Sequence, residues 1–383
     1  MRRGGIRIGA VATALGLAAC GAVALADGAS GTHGQIVVAC ADATTDAATI
    51  NAAITGSARG AVVMIQGTCL LTSPITLLGD RTYTGGNSGG ATDTTKPTGT
   101  VLVQDASMAY VLASDAYATK ATTSGDPLSI RDMTVACDNT GSTNGIVVES
   151  WLADVEHMYV SGCAGSGIVD TSNAPTPSGY ITNTSVNSRF ADNFIENSGH
   201  YGFYVQDAGN AVTDGFFRDN QVSNSGIDGI HLEDAAGWNV TGNHLYADGQ
   251  NGISLHRMYG TTVSDNYIED FATKQTSGSY YGVEADVQGD PVGSTISGNK
   301  VLNDGAAESA TATYTYIALT QTNYGTGNVA VTGNVVVGRQ GSDVGLSFTG
   351  NAYPLTVSSS GNRVSGVGTA RSVGANATVD AGV

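Results

Sequence analysis

Proline is scarce in this chain, 7 residues in 383, while glycine numbers 53. Turns must therefore be made by Gly, Asn and Asp, which fits a folded β protein with many tight turns rather than a disordered chain. Positive charge is also short: 16 Lys and Arg against 33 Asp and Glu leave a formal net charge of −17. A field of that sign disfavours nucleic acid and anionic membranes as partners. It also disfavours a polyanionic substrate unless a cation such as Ca²⁺ bridges the two, so neutral substrates are the easier reading. Beyond the first 26 residues no stretch is apolar enough to span a membrane. There is no His-Glu-x-x-His helix, phosphate loop, Gly-x-Ser-x-Gly elbow or dinucleotide fingerprint, and their absence removes the reactions those motifs support.

Arg2, Arg3 and Arg7 precede an apolar run from Ile8 to Cys20, and Ala24-Leu25-Ala26 then offers a small-x-small cleavage site. This pattern predicts an export signal over residues 1–26, leaving a mature chain of 27–383. Loss of three arginines and no acid takes the charge from −17 to near −20. Leu17-Ala18-Ala19-Cys20 also resembles a bacterial lipobox, in which case processing would end before Cys20 and leave it lipidated. Setting Cys20 aside, four of the five cysteines remain, an even count for an exported protein. Cys137 and Cys163 end similar runs in successive repeats, and Cys40 and Cys69 end or follow β-rich runs. The expected disulfides are Cys40–Cys69 and Cys137–Cys163; four buried free thiols are the alternative.

The chain is organised by a repeat. Asn193, Asn220, Asn243, Asn266 and Asn299 recur 27, 23, 23 and 33 residues apart, with fainter copies at Asn334 and Asn362. Each of the first four is followed by a Gly-apolar-x-apolar unit: Gly202–Val205, Gly229–Leu232, Gly252–Leu255 and Gly282–Ala285. An irregular period in the twenties, with apolar alternation and no long helical pattern, predicts a solenoid. Such a fold grows along one axis, so 383 residues are read as a single domain. The asparagines are read as structural: Asn tolerates a left-handed turn, and its amide can bond the same position one coil above and below.

Nearer the N-terminus, Gln35–Ala39 reads as a strand and Asp46–Ile54 as a short helix. Asp46 is its expected N-cap, and Ala47, Ile50 and Ile54 form its apolar stripe. Strands follow at Val62–Leu71, Pro74–Leu78, Arg81–Gly85, Thr100–Val103, Tyr110–Ala113, Ile130–Val135, Gly145–Val148 and His157–Val160, with polar loops at 86–98 and 171–178. The run Asp46…Ile50…Ala53-Ile54…Gly60-Ala-Val62…Gly67-Thr68…Ile75…Leu77 resembles the N-terminal motif of the pectate-lyase-like superfamily. With the Asn repeats downstream, the resemblance covers most of residues 35–370 and implies an all-β, single-stranded right-handed parallel β-helix. Its helix would cap the first coil, because an open solenoid end exposes a sheet edge and an apolar core. The superfamily includes lyases, hydrolases, epimerases and non-catalytic spikes, so the resemblance does not choose a reaction.

In such a fold each residue column repeats at roughly 4.8 Å per coil. Aligning the Gly-apolar units gives two solvent-facing columns. One reads Tyr204, His231, Ser254, Glu284, Ala318, Ser347, and the other Gln206, Glu233, His256, Asp286, Thr320, Thr349. His231, Glu233, His256, Glu284 and Asp286 therefore fall in adjacent coils and are the candidate catalytic residues. Tyr204, Gln206, Asp207, Asp234, Arg257 and Tyr281 are candidate substrate contacts; Tyr204, Tyr280, Tyr281 and Trp238 are candidate sugar-stacking platforms, with aromatic packing between coils the alternative, and Lys274 lies beside them. Insertions at Phe271–Tyr280 and Asp304–Tyr314 are expected to wall this face into a groove. Asp207, Asp214 and Asp219 are the candidates for Ca²⁺, and no other cofactor is expected.

Two acids held near one another push their pKa values apart, leaving one as a proton donor. The expected reaction is glycoside hydrolysis of an extended polysaccharide, with Asp286 or Glu284 as acid, Glu233 as base and His256 between them. The alternative implied by the resemblance is a lyase or C5-epimerase using His231 or His256 with Tyr204. Superfamily lyases use an Arg or Lys base with Ca²⁺, and the two columns hold neither. A third reading is a non-catalytic glycan-binding or spacer β-helix, in which the same residues are ordinary solvated side chains.

Overall fold

The computed structural model describes residues 34–86, 99–138, 140–141, 143–172, 183–207, 209–289, 292–304, 309–322 and 325–380, and the backbone of 23–25. The export signal, its cleavage site and Cys20 otherwise lie outside these residues, as do most of the two polar loops. Three long sheets of 14, 11 and 11 strands run the length of the molecule, with a two-stranded ribbon beside them. Every pairing is parallel except that of Val23–Leu25 with Gln35–Ala39. One coil illustrates the path: Phe216–Arg218 in the first sheet, Gln221–Ser223 in the second, Ile230–Leu232 in the third, then Asn239–Thr241 back in the first. The described residues form the expected parallel solenoid, nearly all β, with helices at Asp46–Gly56 and Asp115–Thr119. No described helix is long and apolar enough to cross a membrane.

Alternation places one residue of each short strand inside. Phe217, Val222, Ile230, Leu232 and Val240 are fully buried, stacked on their counterparts above and below. Phe190, Phe203 and Phe217 continue as an aromatic column, with centroids 4.8 and 4.2 Å apart, and Trp238 packs 5.7 Å from Phe203. A Cβ at Gly215 would lie 2.4 Å from the Trp238 ring, so glycine is what admits the indole. Trp238 is thus a core residue, its Nε1 donating to the Val212 carbonyl at 3.2 Å, and not a sugar platform.

The asparagines form a continuous ladder. Asn243 Nδ2 donates to Asn266 Oδ1 (2.9 Å) and to the Phe217 carbonyl (3.0 Å), while its own Oδ1 accepts from the amide and Nδ2 of Asn220. The pattern repeats from Asn193 to Asn362. The left-handed residue is the one before each asparagine (Asp192, Asp219, Gly242, Asp265, Gly298, Gly333, Gly361), not the asparagine itself. Asn is thereby left to turn its amide along the stack. The repeating glycines have a different cause: a Cβ at Gly202 would meet Val222 Cγ1 at 2.3 Å and the Gly229 carbonyl at 2.7 Å, where one coil enters the third sheet beneath the next.

Both expected disulfides are formed, with Cα–Cα distances of 5.0 Å for Cys40–Cys69 and 4.8 Å for Cys137–Cys163. The first helix buries Ala47, Ile50, Ala53 and Ile54 over the first coil. Its N-cap is Thr45, one residue earlier than expected; Asp46 is buried and accepts from the amides of Ala41, Ala43 and Leu70, tying three segments together. Two runs read as single strands are each two strands on different sheets, Val62–Gln66 with Thr68–Leu71 and Leu128–Arg131 with Thr134–Ala136. Gly67 and Asp132 turn those corners with positive φ, at one residue each. The expected insertions are partly regular: Gly278–Val287 and Ala312–Gln321 are ten-residue strands that pair and lengthen the third sheet beside Glu284.

Candidate active site

The register of the third sheet decides which side chains meet. Tyr204 pairs with His231, His231 with Ser254, Ser254 with Glu284, Glu284 with Ala318, and Ala318 with Ser347, so the first expected column is present in order. In the second column Thr171 pairs with Gln206, and Asp286 with Thr320 and Thr349 in turn. Between them, the Glu233 amide donates to the Val205 carbonyl at 3.1 Å, which keeps Glu233 on the next coil. His256 follows in the strand Ile253–Met258, where the pairing shifts register between Leu255 and Met258 and Arg257 takes a φ of 55°.

The side chains then bond to one another. Tyr204 donates its hydroxyl to Glu233 Oε1 at 2.8 Å, which fixes the carboxylate against the sheet. His231 Nδ1 lies 2.8 Å from Asp228 Oδ2, and Asp228 Oδ1 accepts the Asn251 amide at 2.9 Å. With Nδ1 engaged by a carboxylate that is 4% exposed, the tautomer is set and Nε2 is the nitrogen left for other chemistry. Tyr201 stacks on the His231 ring at 4.5 Å, and His256 meets the same ring edge-on at 5.1 Å. Asp286 Oδ1 accepts the Thr322 amide at 2.9 Å.

Electrostatics separate these groups. Burial raises the Glu284 pKa from its ordinary value and the charge of Asp228 raises it further; His231 pulls it down, and Asp286 adds a smaller rise. Burial lowers His256, and the neighbouring His231 lowers it more, against the attraction of Asp286, Glu233 and Asp228. Tyr204 is held protonated, first by burial and then by its bond to Glu233. The same centre therefore contains a carboxyl biased to keep its proton and an imidazole biased to lose one.

Two expected contacts are corrected. Asp207 is 5% exposed and accepts from the amides of Gly209 and Val212, at 2.9 and 2.8 Å, and from that of Ala211. It is a turn staple facing away from solvent. Asp234 is fully buried, accepts the Ala236 amide at 2.9 Å and pairs with Arg257 Nη1 at 3.0 Å, so this acid–base pair is spent on the turn. Gln206 is exposed beside the cluster. Tyr281 is half-buried on the Glu284 strand, its amide bonded by Asn251 Oδ1. Tyr280 hydrogen-bonds Gln275, and Lys274 folds back onto the carbonyls of Asn224 and Ser225. Tyr201 and Asp228 went unnoticed in the sequence because they lie in the turn before the strand, outside the alternating columns. The spacing Asp228-x-x-His231, which puts an acid one turn ahead of the imidazole, is the signal that was there. Among the described residues no three His, Cys, Asp or Glu are grouped to hold a metal ion. Asp214 and Asp219 occupy separate left-handed corners.

Stacked parallel coils, an asparagine ladder and a helix-capped first coil define a right-handed parallel β-helix. This is the fold that the resemblance to the pectate-lyase-like superfamily implies. The profile of a family described as periplasmic copper-binding protein (NosD) matches residues 137–321. No curated protein matches the chain. Among solved structures, it is similar to the A-module of mannuronan C-5 epimerase AlgE6 from Azotobacter vinelandii: 16% identity, TM-score 0.56, covering 90% of this chain and 95% of that one. It is also similar to the catalytic unit of a GH87 α-1,3-glucanase from Streptomyces thermodiastaticus, with 16% identity, TM-score 0.52 and 93% and 70% covered. A third is the DFA-IIIase of Arthrobacter chlorophenolicus A6, with 15% identity, TM-score 0.51 and 88% of each chain covered. At such identities these likenesses establish the fold.

Proposed function

We propose that this protein is an exported enzyme acting on a polysaccharide laid along the third sheet, and that it cleaves a glycosidic bond by carboxylate acid–base chemistry. The observation that carries the reading is the convergence of Tyr204, Glu233, Asp228, His231, His256, Glu284 and Asp286, from four consecutive coils, on one solvent-facing patch. Export is supported by the two disulfides. The carbohydrate class is supported by the likeness to the mannuronan C-5 epimerase, the α-1,3-glucanase and the DFA-IIIase.

In this reading Glu284 is the general acid, because burial and the charge of Asp228 raise its pKa, the direction a proton donor needs. Glu233, oriented by Tyr204, accepts the proton of the attacking water on the opposite side of the sugar. Asp286 lies one residue column from Glu284 and stabilises positive charge developing at the anomeric carbon. His256 hydrogen-bonds substrate as a neutral imidazole. The patch is strongly acidic, and Arg257 beside it is already paired with Asp234, so uncharged sugars fit it better than uronates.

A lyase or C5-epimerase using His231 and Tyr204 is the second reading, favoured by the Asp228–His231 pair with Tyr201 and Tyr204 around it. It requires Tyr204 to give up a proton that burial and Glu233 hold in place. A screen of neutral and acidic polysaccharides decides between them. New reducing ends without ultraviolet absorbance support hydrolysis; an unsaturated product, or uronate inversion without cleavage, replaces it with the second reading. Binding without turnover of any glycan leaves a non-catalytic module.

A further inference from the structure

Outside the acidic patch, one aromatic side chain is presented in a manner that packing does not explain. Trp151 is 48% exposed and Leu152 54%, the two forming the tip of the turn that leads from the third sheet back to the first. The other tryptophan, Trp238, is fully buried. The exposed pair is rigidly held. Trp151 Nε1 donates to Thr184 Oγ1 at 2.6 Å, and the Thr184 amide donates to Ser124 Oγ at 2.7 Å. The Trp151 amide donates to the Gly125 carbonyl at 3.3 Å and that of Leu152 to Val186 at 3.0 Å. Leu152 sits at φ 54°, a left-handed conformation that a branched apolar side chain adopts only at a cost. An exposed indole whose N–H is already used offers its face, not its edge.

Beside Leu152, on the first-sheet side of the turn, lies an open hollow of about 270 Å³, lined by Asp80, Arg81, Thr82, Ser129 and Asp154 among others. Two ion pairs border the apolar tip: Asp154 with Arg189 at 2.8 Å, and Asp126, at the neighbouring turn, with Arg59 at 3.0 Å. Apolar faces bordered by planar hydrogen-bonding groups match the alternating CH face and hydroxyl rim of a pyranose. The tip stands at the corner between the third and first sheets, so a glycan running along the third sheet reaches it by passing over that edge. Glu149, two residues before Trp151, precedes Thr171, Gln206 and Glu233 in the coil order, so the tip lies three coils from Glu233, roughly 14 Å along the axis.

We propose that Trp151 and Leu152, with the adjoining hollow, form a second carbohydrate-binding subsite that grips an uncharged glycan several sugar units from the acidic patch. The subsite deepens the polysaccharide reading above and rests on it for the direction in which the chain runs. It makes the protein prefer long chains over short ones, because only a long chain reaches both places at once.

The test uses the full chain and a ladder of neutral oligosaccharides from disaccharide upward, drawn from any polymer that the screen above identifies, or from α- and β-glucans if it identifies none. Because Trp238 is buried, acrylamide quenching of tryptophan fluorescence reports Trp151. Longer oligosaccharides should protect it and the disaccharide should not, and the protection should persist in Glu284→Gln. In steady-state assays Trp151→Ala should lower the ratio of kcat/KM for long over short chains about tenfold. Trp151→Phe, which keeps a ring but loses the N–H, should retain most of that ratio and serves as the control for folding. An unprotected Trp151 with every glycan, or an unchanged length ratio in Trp151→Ala, overturns the subsite while leaving turnover and the hydrolytic reading intact. Protection without turnover supports the subsite and counts against the hydrolytic reading alone.

Discussion

Asp170→Asn should make the protein more stable at neutral pH and flatten its pH dependence. Asp170 is fully buried in the third sheet, in register between Val148 and Val205. Its Oδ1 accepts a 2.6 Å bond from Ser185 Oγ, and its Oδ2 has no hydrogen-bond partner. Burial raises its pKa from 3.8 to about 8, with the nearby charges of Asp207 and Glu149 adding to the effect against the Ser185 bond. A carboxyl raised in the folded state binds more protons there than in the unfolded chain. The stability linked to it is therefore full below pH 4, falls as pH rises, and levels off above pH 8. At pH 7 the loss is about 4 kcal/mol, from 1.36 kcal/mol per unit over roughly three units. Asn keeps the acceptor for Ser185 and never ionises, so the variant should gain about 2–3 kcal/mol at pH 7, allowing about 1–2 for its unpaired amide. Urea titrations from pH 4 to pH 8, with the disulfides intact, measure this directly. Midpoints that converge near pH 4 and diverge toward pH 8 are expected. Curves that stay parallel across that range, or a variant less stable at pH 7, would mean that the buried Asp170 carboxyl does not oppose folding at neutral pH.

Other perturbations test separate parts of the fold. Asn243→Ala removes the acceptor for Asn220 and the donor to Phe217 and Asn266, and should cost about 3–5 kcal/mol in urea, since each orphaned buried group costs about 1–3. Opening Cys137–Cys163 by replacing both with Ser should cost about 3 kcal/mol, from the 26-residue separation that it closes. Gly215→Ala drives a methyl into the Trp238 ring and should red-shift the buried tryptophan emission as the core loosens. In the pH profile of kcat/KM, activity should fall as pH rises through the elevated Glu284 pKa, and Glu284→Gln should abolish that limb together with most of the rate.

Much of this architecture is legible in the sequence because a solenoid writes its geometry as a period. The asparagine spacing and the glycine before each third-sheet strand fix the coil boundaries, and once these are known the column Tyr204, His231, Ser254, Glu284 follows by counting. The disulfides follow from the same register. What counting cannot reach is the orientation of turn residues. Asp207 and Asp234 look like neighbours of the patch, but the turns leaving the third sheet leave backbone amides and Arg257 in need of acceptors, and these two acids supply them. Asp228 and Tyr201 join the patch for the converse reason: the incoming turn swings them back over His231. Corners made by one positive-φ residue, such as Gly67 and Asp132, leave no break in hydrophobicity, which is why two pairs of strands read as two single strands.

If acids from separate coils act as one reaction centre, a double-mutant cycle on Glu233→Gln and Glu284→Gln will read their coupling. On a glycan that the wild type cleaves, each single change should lower kcat by about 10²–10⁴. The double variant should be hardly slower than the worse single one, because groups that work in one step fail together. Losses that multiply, or either single variant turning over at the wild-type rate, would mean that the two acids do not share one step.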